Sequence, residues 1–99
     1  MKKGYTKIEN KILEFLMKAE MNCTDIKVFL AIIRYTYGFG RDECTITASY
    51  ISDITGKSLR NVQESLKNLC DMGVIEKRKA DKYNRNCYKI LPVDKYVDK

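Results

Sequence analysis

Apolar and polar residues alternate with a helical period in the stretch 58–73, around which the rest of the chain is arranged. The apolar residues recur at three- and four-residue steps on one side of a helix: Leu59, Val62, Leu66 and Leu69. Ser58 has a hydroxyl that can accept a hydrogen bond from a free backbone N–H at a helix start, and Gly73 suits the left-handed residue that follows a helix end. We therefore predict a helix that packs with its apolar side and presents its polar side to a ligand.

A shorter helix precedes this one and two extended segments follow it. Residues 47–55 can form a helix that is capped by Thr47 and closed by Gly56. Its apolar residues are Tyr50, Ile51 and Ile54. Residues 74–79 and 86–91 are extended runs joined by a polar segment, which is typical of a β-hairpin. Two helices joined by a short turn and followed by a hairpin predict a winged helix-turn-helix.

The first half of the chain predicts two more helices and a strand. Residues 9–19 form an amphipathic helix with the stripe Ile12, Leu13, Leu16 and Met17. Residues 25–37, for which Thr24 is the expected cap, form a helix that is apolar almost all round and therefore central. Its main stripe is Ile26, Phe29, Leu30, Ile33 and Tyr37. Residues 38–40 break this helix, and residues 44–46 form a strand that pairs with the hairpin. The expected fold class is α+β, mainly α, with about four helices and a small three-stranded antiparallel sheet.

The length of the chain allows one domain. Ninety-nine residues, 44% of them hydrophobic, can bury one core without disulfides or metal. We expect a single domain over residues 1–99, with flexible ends at 1–7 and 93–99. No stretch approaches the roughly eighteen uninterrupted apolar residues of a membrane span, and the N-terminus lacks the apolar core of a signal peptide. We therefore expect a soluble, intracellular protein without a membrane partner.

Positive charge is concentrated in the second half of the chain. The formal net charge is +6, and residues 57–89 contain nine basic residues against four acidic ones. An excess of cations on the predicted long helix and hairpin is typical of a surface that meets phosphate groups. A basic face on a small protein can also be an ordinary solvated surface, so both interpretations stay open at this point.

The titratable residues form no recognisable catalytic or metal-binding pattern. The chain has no histidine, and its four cysteines, Cys23, Cys44, Cys70 and Cys87, are 21, 26 and 17 residues apart, which is not the close spacing of zinc ligands. No two carboxylates have a spacing that brings them into one cleft. We therefore expect no enzymatic activity, no metal and no cofactor. The cysteines other than Cys23 adjoin apolar residues and are expected to be small buried hydrophobes.

The polar side of the long helix carries residue types that can read DNA bases. Arginine and lysine can hydrogen-bond guanine O6 and N7, asparagine and glutamine can pair with the N6/N7 edge of adenine, and such contacts come chiefly from the first turns of a reading helix. The candidate contacts of the turn and helix are Lys57, Ser58, Arg60, Asn61, Gln63, Glu64 and Lys67. The alternative is that these are the ordinary solvent-facing residues of an amphipathic helix.

The predicted hairpin carries a second set of candidate contacts. Basic residues on its strands could bind phosphate or enter a minor groove, and polar residues at its tip could touch sugar or backbone. These candidates are Lys77, Arg78, Lys79, Lys82, Tyr83, Asn84 and Arg85. The alternative is that the charges keep an edge strand from pairing with other chains.

Half of the ten aromatic residues have a structural explanation. Five of them lie in apolar stretches, where core packing accounts for them better than base stacking: Phe15, Phe29, Tyr35, Tyr37 and Tyr88. Base stacking on aromatic side chains is the usual means of holding single strands. The sequence therefore favours duplex DNA over single-stranded nucleic acid.

The run from Ile33 to Phe39 carries a specific family resemblance. Its Arg34, Thr36, Tyr37, Gly38 and Phe39 reproduce the pattern R-x-T-Y-G-F/W. Together with YTKIEN near the N-terminus and ITASYISDITGKSLRNVQESLKNLCDMGVI, it resembles the N-terminal domain of the phage replication protein O family over residues 5 to 79, nearly the whole predicted fold.

The resemblance implies a winged-helix domain that binds repeated sites at a phage replication origin, often as a dimer, while a separate C-terminal region recruits the helicase loader. The helix from Leu59 onward would then enter the major groove, and the hairpin 77–85 would be the wing. Glu9 stands where the family usually has a proline, which would change how the first helix begins. The chain ends at Lys99, before a recruiting region, so we expect either a fragment or a protein that keeps the binding half.

These observations favour a sequence-specific binder of double-stranded DNA that recognises a phage or prophage replication origin in the cytoplasm of a bacterial host. Its expected partners are duplex DNA, a second copy on paired half-sites, and other replication proteins. Two alternatives stay open. One is a winged-helix transcriptional regulator that acts by occlusion, and the other is a winged helix that binds protein in a replication complex.

Overall fold

The computed structural model describes residues 4–78 and 85–91, which form four α-helices and three β-strands. In chain order the elements are α1 (Asn10–Lys18), α2 (Cys23–Thr36), a 3-10 turn (Tyr37–Phe39), β1 (Glu43–Thr45), α3 (Ala48–Thr55), α4 (Leu59–Met72), β2 (Ile75–Arg78) and β3 (Cys87–Ile90). Residues 4–7, predicted to be flexible, belong to no helix or strand, and the predicted flexible residues 1–3 and 93–99 lie outside the described residues. The predicted class, α+β and mainly α, is confirmed.

Helices α3 and α4 begin and end where the sequence predicts. The Ser58 hydroxyl accepts a hydrogen bond from the backbone N–H of Asn61 at 3.1 Å, and the Thr47 hydroxyl accepts one from Tyr50 at 3.0 Å. Gly73 ends α4 with φ 82°, a left-handed conformation that costs glycine little because it has no Cβ. Both caps and the glycine stop are therefore confirmed.

The start of α2 differs from the prediction. Asn22, not Thr24, is the cap, because its side-chain oxygen accepts a hydrogen bond from the backbone N–H of Asp25 at 2.7 Å. The helix consequently starts at Cys23, two residues earlier than predicted. A short amide three residues before a free N–H has the geometry of a cap, and the side chain of Asp25 is buried in the first turn.

The three strands form one antiparallel sheet in the order β1-β3-β2. Thr45 lies opposite Cys87 at one end of the β1–β3 pair, and Ile75 lies opposite Ile90 at one end of the β2–β3 pair. Strand β3 is therefore central, and β1 joins the far side of the predicted hairpin. The sheet is confirmed, and the whole arrangement is compatible with a winged helix.

The core lies between α2, α4 and the inner face of the sheet. Its largest fully buried side chains include Phe29 and Ile32 of α2, Leu69 of α4 and Ile90 of β3. Several residues predicted to belong to apolar stripes are instead exposed: Leu13, Met17, Leu30, Tyr50, Ile54 and Leu59. The polar Ser65 of α4 is buried, whereas Leu59 of the same helix is 45% exposed.

The aromatic and cysteine predictions are confirmed in part. Phe29 and Tyr88 are buried, whereas Phe15, Tyr35 and Tyr37 are partly buried and packed against the core. Among the cysteines, Cys44 is buried, Cys70 and Cys87 are half-buried and Cys23 is exposed.

Candidate nucleic-acid interface

The predicted reading residues lie together on the outer side of α4. The residues that face the core from this helix are Val62, Ser65, Leu66 and Leu69. The remaining positions of the first three turns are exposed, and they include every predicted contact of the helix: Arg60, Asn61, Gln63, Glu64 and Lys67. The helix therefore offers two cations, two amides and one carboxylate to the solvent.

Two ion pairs run along this face. The Arg60 Nε lies 3.6 Å from a carboxylate oxygen of Glu64, and the Lys67 Nζ lies 3.2 Å from a carboxylate oxygen of Asp71. Each pair joins side chains four residues apart, and all four side chains are more than 60% exposed. Exposed pairs of this kind are worth only about 0.3–0.5 kcal/mol. Arg60 and Lys67 can therefore leave their partners for an incoming ligand at little cost.

The turn before α4 is fixed by two side-chain hydroxyls of α3. The Ser52 hydroxyl of α3 donates a hydrogen bond to the carbonyl of Lys57, and the Lys57 N–H donates to the Thr55 hydroxyl at 3.4 Å. The Ser58 hydroxyl is used as a cap, which leaves its own proton available as a donor. Lys57 is half-buried and Ser58 is exposed. This rigid turn sets the direction in which α4 leaves α3.

A groove of about 560 Å³ separates α4 from the hairpin. Gln63 and Lys67 line it from α4, and Lys77 and Asn86 line it from β2 and the start of β3. Burial raises the pKa of the Cys70 thiol at its floor, so this group stays neutral. No carboxylate lines the groove among the residues described. Its walls therefore carry positive charge and amide groups.

The hairpin places its basic residues on two different faces. Lys77 lies opposite Tyr88 on the face that turns toward α4, and Arg78 lies opposite Cys87 on the other face. There the Arg78 Nη1 lies 3.6 Å from a carboxylate oxygen of Glu43 on β1. The structure thus brings Lys77 to the helix and does not bring Arg78 there.

Of the segment that joins the two hairpin strands, the structure describes only residues 85 and 86. Arg85 is exposed directly before β3. The predicted contacts Lys79, Lys82, Tyr83 and Asn84 lie outside the described residues.

The groove residue Asn86 is absent from the contacts predicted from the sequence. Asn86 lines the groove, and its side-chain amide donates to the Tyr88 hydroxyl at 3.4 Å. Its place in the run 86–91, two residues before a buried position, was the available signal, because alternate residues of a strand share a face. The sequence prediction assigns Asn86 to the strand and does not identify it as a surface contact.

Neither a metal-ligand cluster nor a membrane-spanning helix occurs in the described residues. In the ranges 4–78 and 85–91 no three histidine, cysteine or acidic side chains are grouped as metal ligands would be. None of the helices in this part of the chain has the length and apolar run that a bilayer crossing requires.

These features define a small, basic protein with a helix-turn-helix formed by α3 and α4 and a β-hairpin beside α4. The chain belongs to the bacteriophage replication protein O family, whose model matches residues 1–90. It is 33% identical over 75 residues to the replication protein O of Escherichia phage lambda, an alignment that covers 76% of this chain and 22% of that protein. It is 30% identical over 76 residues to the replication protein 15 of Enterobacteria phage phi80, covering 77% of this chain and 25% of that protein.

The predicted family resemblance is therefore confirmed. The aligned part of the chain spans 22% of the length of the lambda protein and 25% of the length of the phi80 protein.

Proposed function

We propose that this protein binds double-stranded DNA in a sequence-specific manner and recognises a replication origin of a phage or prophage. The observation that carries the proposal is the set of exposed side chains on the first turns of α4, directly after a fixed turn. Arg60, Asn61 and Gln63 point away from the core there, and a groove lined by Lys67 and Lys77 runs beside them. Family membership supports the replication role.

Base reading in this proposal comes from α4. A guanidinium can bind guanine O6 and N7 with two hydrogen bonds, and a carboxamide can bind adenine N6 and N7 in the same way. Arg60 is assigned to a guanine, and Asn61 or Gln63 to an adenine. Lys67 and Lys77 of the groove, together with Lys57 and Ser58 of the turn, contact phosphates and fix the register.

The proposed role is one of binding without catalysis or cofactor. It is exercised in the cytoplasm of the bacterial host, where phage DNA is copied, and it includes assembly with other replication proteins. A single module of this size buries only about 600–1,000 Å² of its surface on DNA. We therefore propose that two copies bind paired half-sites. Light scattering of the complex tests this, since one protein copy per duplex would contradict the dimeric mode.

The experiment that tests the function is selection of bound duplexes from a random library, followed by sequencing. A recurrent motif that is found as clustered repeats beside replication genes supports origin recognition. The same motif found singly at promoters would assign the protein to transcriptional control. Failure to enrich any motif would overturn sequence-specific binding and favour a protein partner for this surface.

A further inference from the structure

A second basic cleft, of about 270 Å³, lies where the end of α2, β1, the start of α3 and the end of the hairpin meet. Two guanidinium groups and four hydroxyl groups line it: Tyr35, Arg41, Thr45, Thr47, Tyr50 and Arg85. Among the described residues that line it, none is acidic. Only Arg85 belongs to the contacts predicted from the sequence, so the cleft is a site that those predictions do not include.

Arg41 is held in position by its backbone and by an aromatic ring. Its N–H donates to the carbonyl of Thr36 at 3.1 Å, directly after Gly40 turns the chain with φ 72°. Its guanidinium carbon lies 5.6 Å from the ring centroid of Phe39, within the range of a cation–π contact. Phe39 is 57% exposed, and Arg34 lies 5.3 Å from the same ring. The exposed ring therefore acts as a positioning residue for Arg41.

The two acidic residues that follow Arg41 interact with other groups. The Glu43 carboxylate lies 3.6 Å from Arg78 on the outer face of the sheet. Asp42 acts on Tyr37, where burial first and the nearby charges of Glu9 and Asp42 next raise the pKa of the phenol. Neither acid lines the cleft.

The hydroxyls of Tyr35 and Tyr50 form the remaining wall. Their oxygens are 2.6 Å apart, and the rings meet edge to face with centroids 5.5 Å apart. Whichever hydroxyl donates to the other, the accepting hydroxyl keeps its own proton for a ligand. The hydrogen bond to Tyr35 is the main cause that raises the pKa of Tyr50, so the Tyr50 phenol stays protonated at neutral pH.

The guanidinium of Arg41 and a free phenolic O–H of the tyrosine pair are donors that suit the oxygens of a phosphate. We propose that this cleft binds a backbone phosphate of the same duplex whose bases α4 contacts, with Arg41 and the Tyr35–Tyr50 pair as its ligands. This inference rests on the proposed function. The placement agrees with it, since Thr47 and Tyr50 are at the start of α3, and the first helix of a helix-turn-helix crosses the DNA backbone while the second enters the groove.

The first test is the affinity of Arg41→Ala and Tyr50→Phe for the selected duplex and for a scrambled duplex of equal length, over a range of salt. Arg41→Ala should weaken both by the same factor, about 5- to 10-fold, and lower the salt slope by about one. Tyr50→Phe should weaken both about 2- to 3-fold, because the Tyr35 hydroxyl loses the hydrogen bond that orients it. Arg41→Lys should keep the salt slope. Lys18→Ala on α1 is the matched control and should change neither duplex.

The second test neutralises the phosphates of the selected duplex one at a time as methylphosphonates. One position should weaken the wild-type protein and have no further effect on Arg41→Ala, which identifies the phosphate that Arg41 contacts. Thermal unfolding of each variant checks that the fold is kept.

The outcomes separate this inference from the proposed function. If Arg41→Ala and Tyr50→Phe bind like wild type while Arg60→Ala loses specific binding, the cleft assignment is overturned and the function stands. A loss confined to the selected duplex would also overturn the cleft assignment, because it would make Arg41 a base contact. A wild-type protein that binds no duplex would overturn both.

Discussion

The carboxylate of Glu64 lies 3.6 Å from the guanidinium of Arg60, one helical turn earlier on the exposed side of α4. In the free protein the strongest candidate for guanine recognition is thus paired with an acid on its own helix. The pair contributes little to stability because both side chains are well exposed. Its effect falls on DNA binding, since Glu64 competes with DNA for Arg60 and also brings a negative charge near the phosphates.

Glu64→Gln should therefore raise the affinity for both selected and scrambled duplexes, by roughly 3- to 10-fold at low salt, and reduce the ratio between them. Fluorescence anisotropy titrations measure both constants. Asp71→Asn, which breaks the similar pair with Lys67 near the other end of the helix, is the control and should have a smaller effect. An unchanged affinity for Glu64→Gln would show that this face of α4 does not meet DNA, and a weaker affinity confined to the selected duplex would instead make Glu64 a base contact.

Two leucines of α4 should respond differently to truncation although the sequence assigns both to one apolar stripe. Leu69 is fully buried and Leu59 is 45% exposed. Leu69→Ala should lower the free energy of unfolding by about 2–5 kcal/mol, whereas Leu59→Ala should cost less than about 1 kcal/mol. Urea denaturation of the two variants measures the difference. Comparable losses would contradict the packing of α4.

Those leucines illustrate what the sequence could and could not predict of the fold. Helix ends depend on local chemistry, so Ser58 and Gly73 could be assigned from residue type and spacing alone. Burial of a stripe residue depends on what lies opposite, and nothing in the period of α4 shows that its first turn extends past the core. At α2 the local signal was ambiguous, because Asn22 and Thr24 are both capable caps, and in the structure Asn22 takes this role.

The candidate site, like the fold, could be predicted from the sequence only in part. The exposed side chains of α4 follow from helical periodicity, so Arg60 and Gln63 could be named before the fold was known. The groove partner Asn86 and the cleft residues Tyr35 and Arg41 are distant from α4 in the chain. The sheet register and the packing of α2 determine where these residues lie, and no local sequence pattern predicts either of them.

Gly73 ends α4 with φ 82°, and a Cβ added there would meet nothing within 4 Å. Gly73→Ala should therefore destabilise the protein through backbone strain alone, by about 1–2 kcal/mol. Gly73→Asn should cost less, because asparagine tolerates the left-handed region better than alanine does. Thermal unfolding of the two variants checks the order. An alanine variant as stable as wild type would contradict the left-handed helix end.

Alkaline pH should weaken the fold through a buried thiol. Burial raises the pKa of Cys44 from 9.0 to about 11, so the folded protein holds this proton more tightly than the unfolded chain does. The resulting stability is fully present below pH 9 and is lost as the pH rises toward 11. The free energy of unfolding, measured by urea denaturation, should fall across this window.

Cys44→Val should flatten that fall, whereas Cys23→Ala, which removes an exposed thiol, should leave it unchanged. Burial also raises the pKa of Tyr88, so a smaller decline should persist in Cys44→Val. An identical pH dependence in Cys44→Val and wild type would rule out the assigned role of Cys44.

The central claim is that α4 reads bases while the groove beside it holds the backbone. Its most direct test is a titration of wild type, Arg60→Ala and Lys77→Ala against the selected and scrambled duplexes over a range of salt. Arg60→Ala should lose roughly 1–3 kcal/mol on the selected duplex and relax the preference at one base, while Lys77→Ala should weaken both duplexes evenly and lower the salt slope by about one. Equal effects of the two substitutions on both duplexes, or a wild-type protein without preference between them, would contradict the claim.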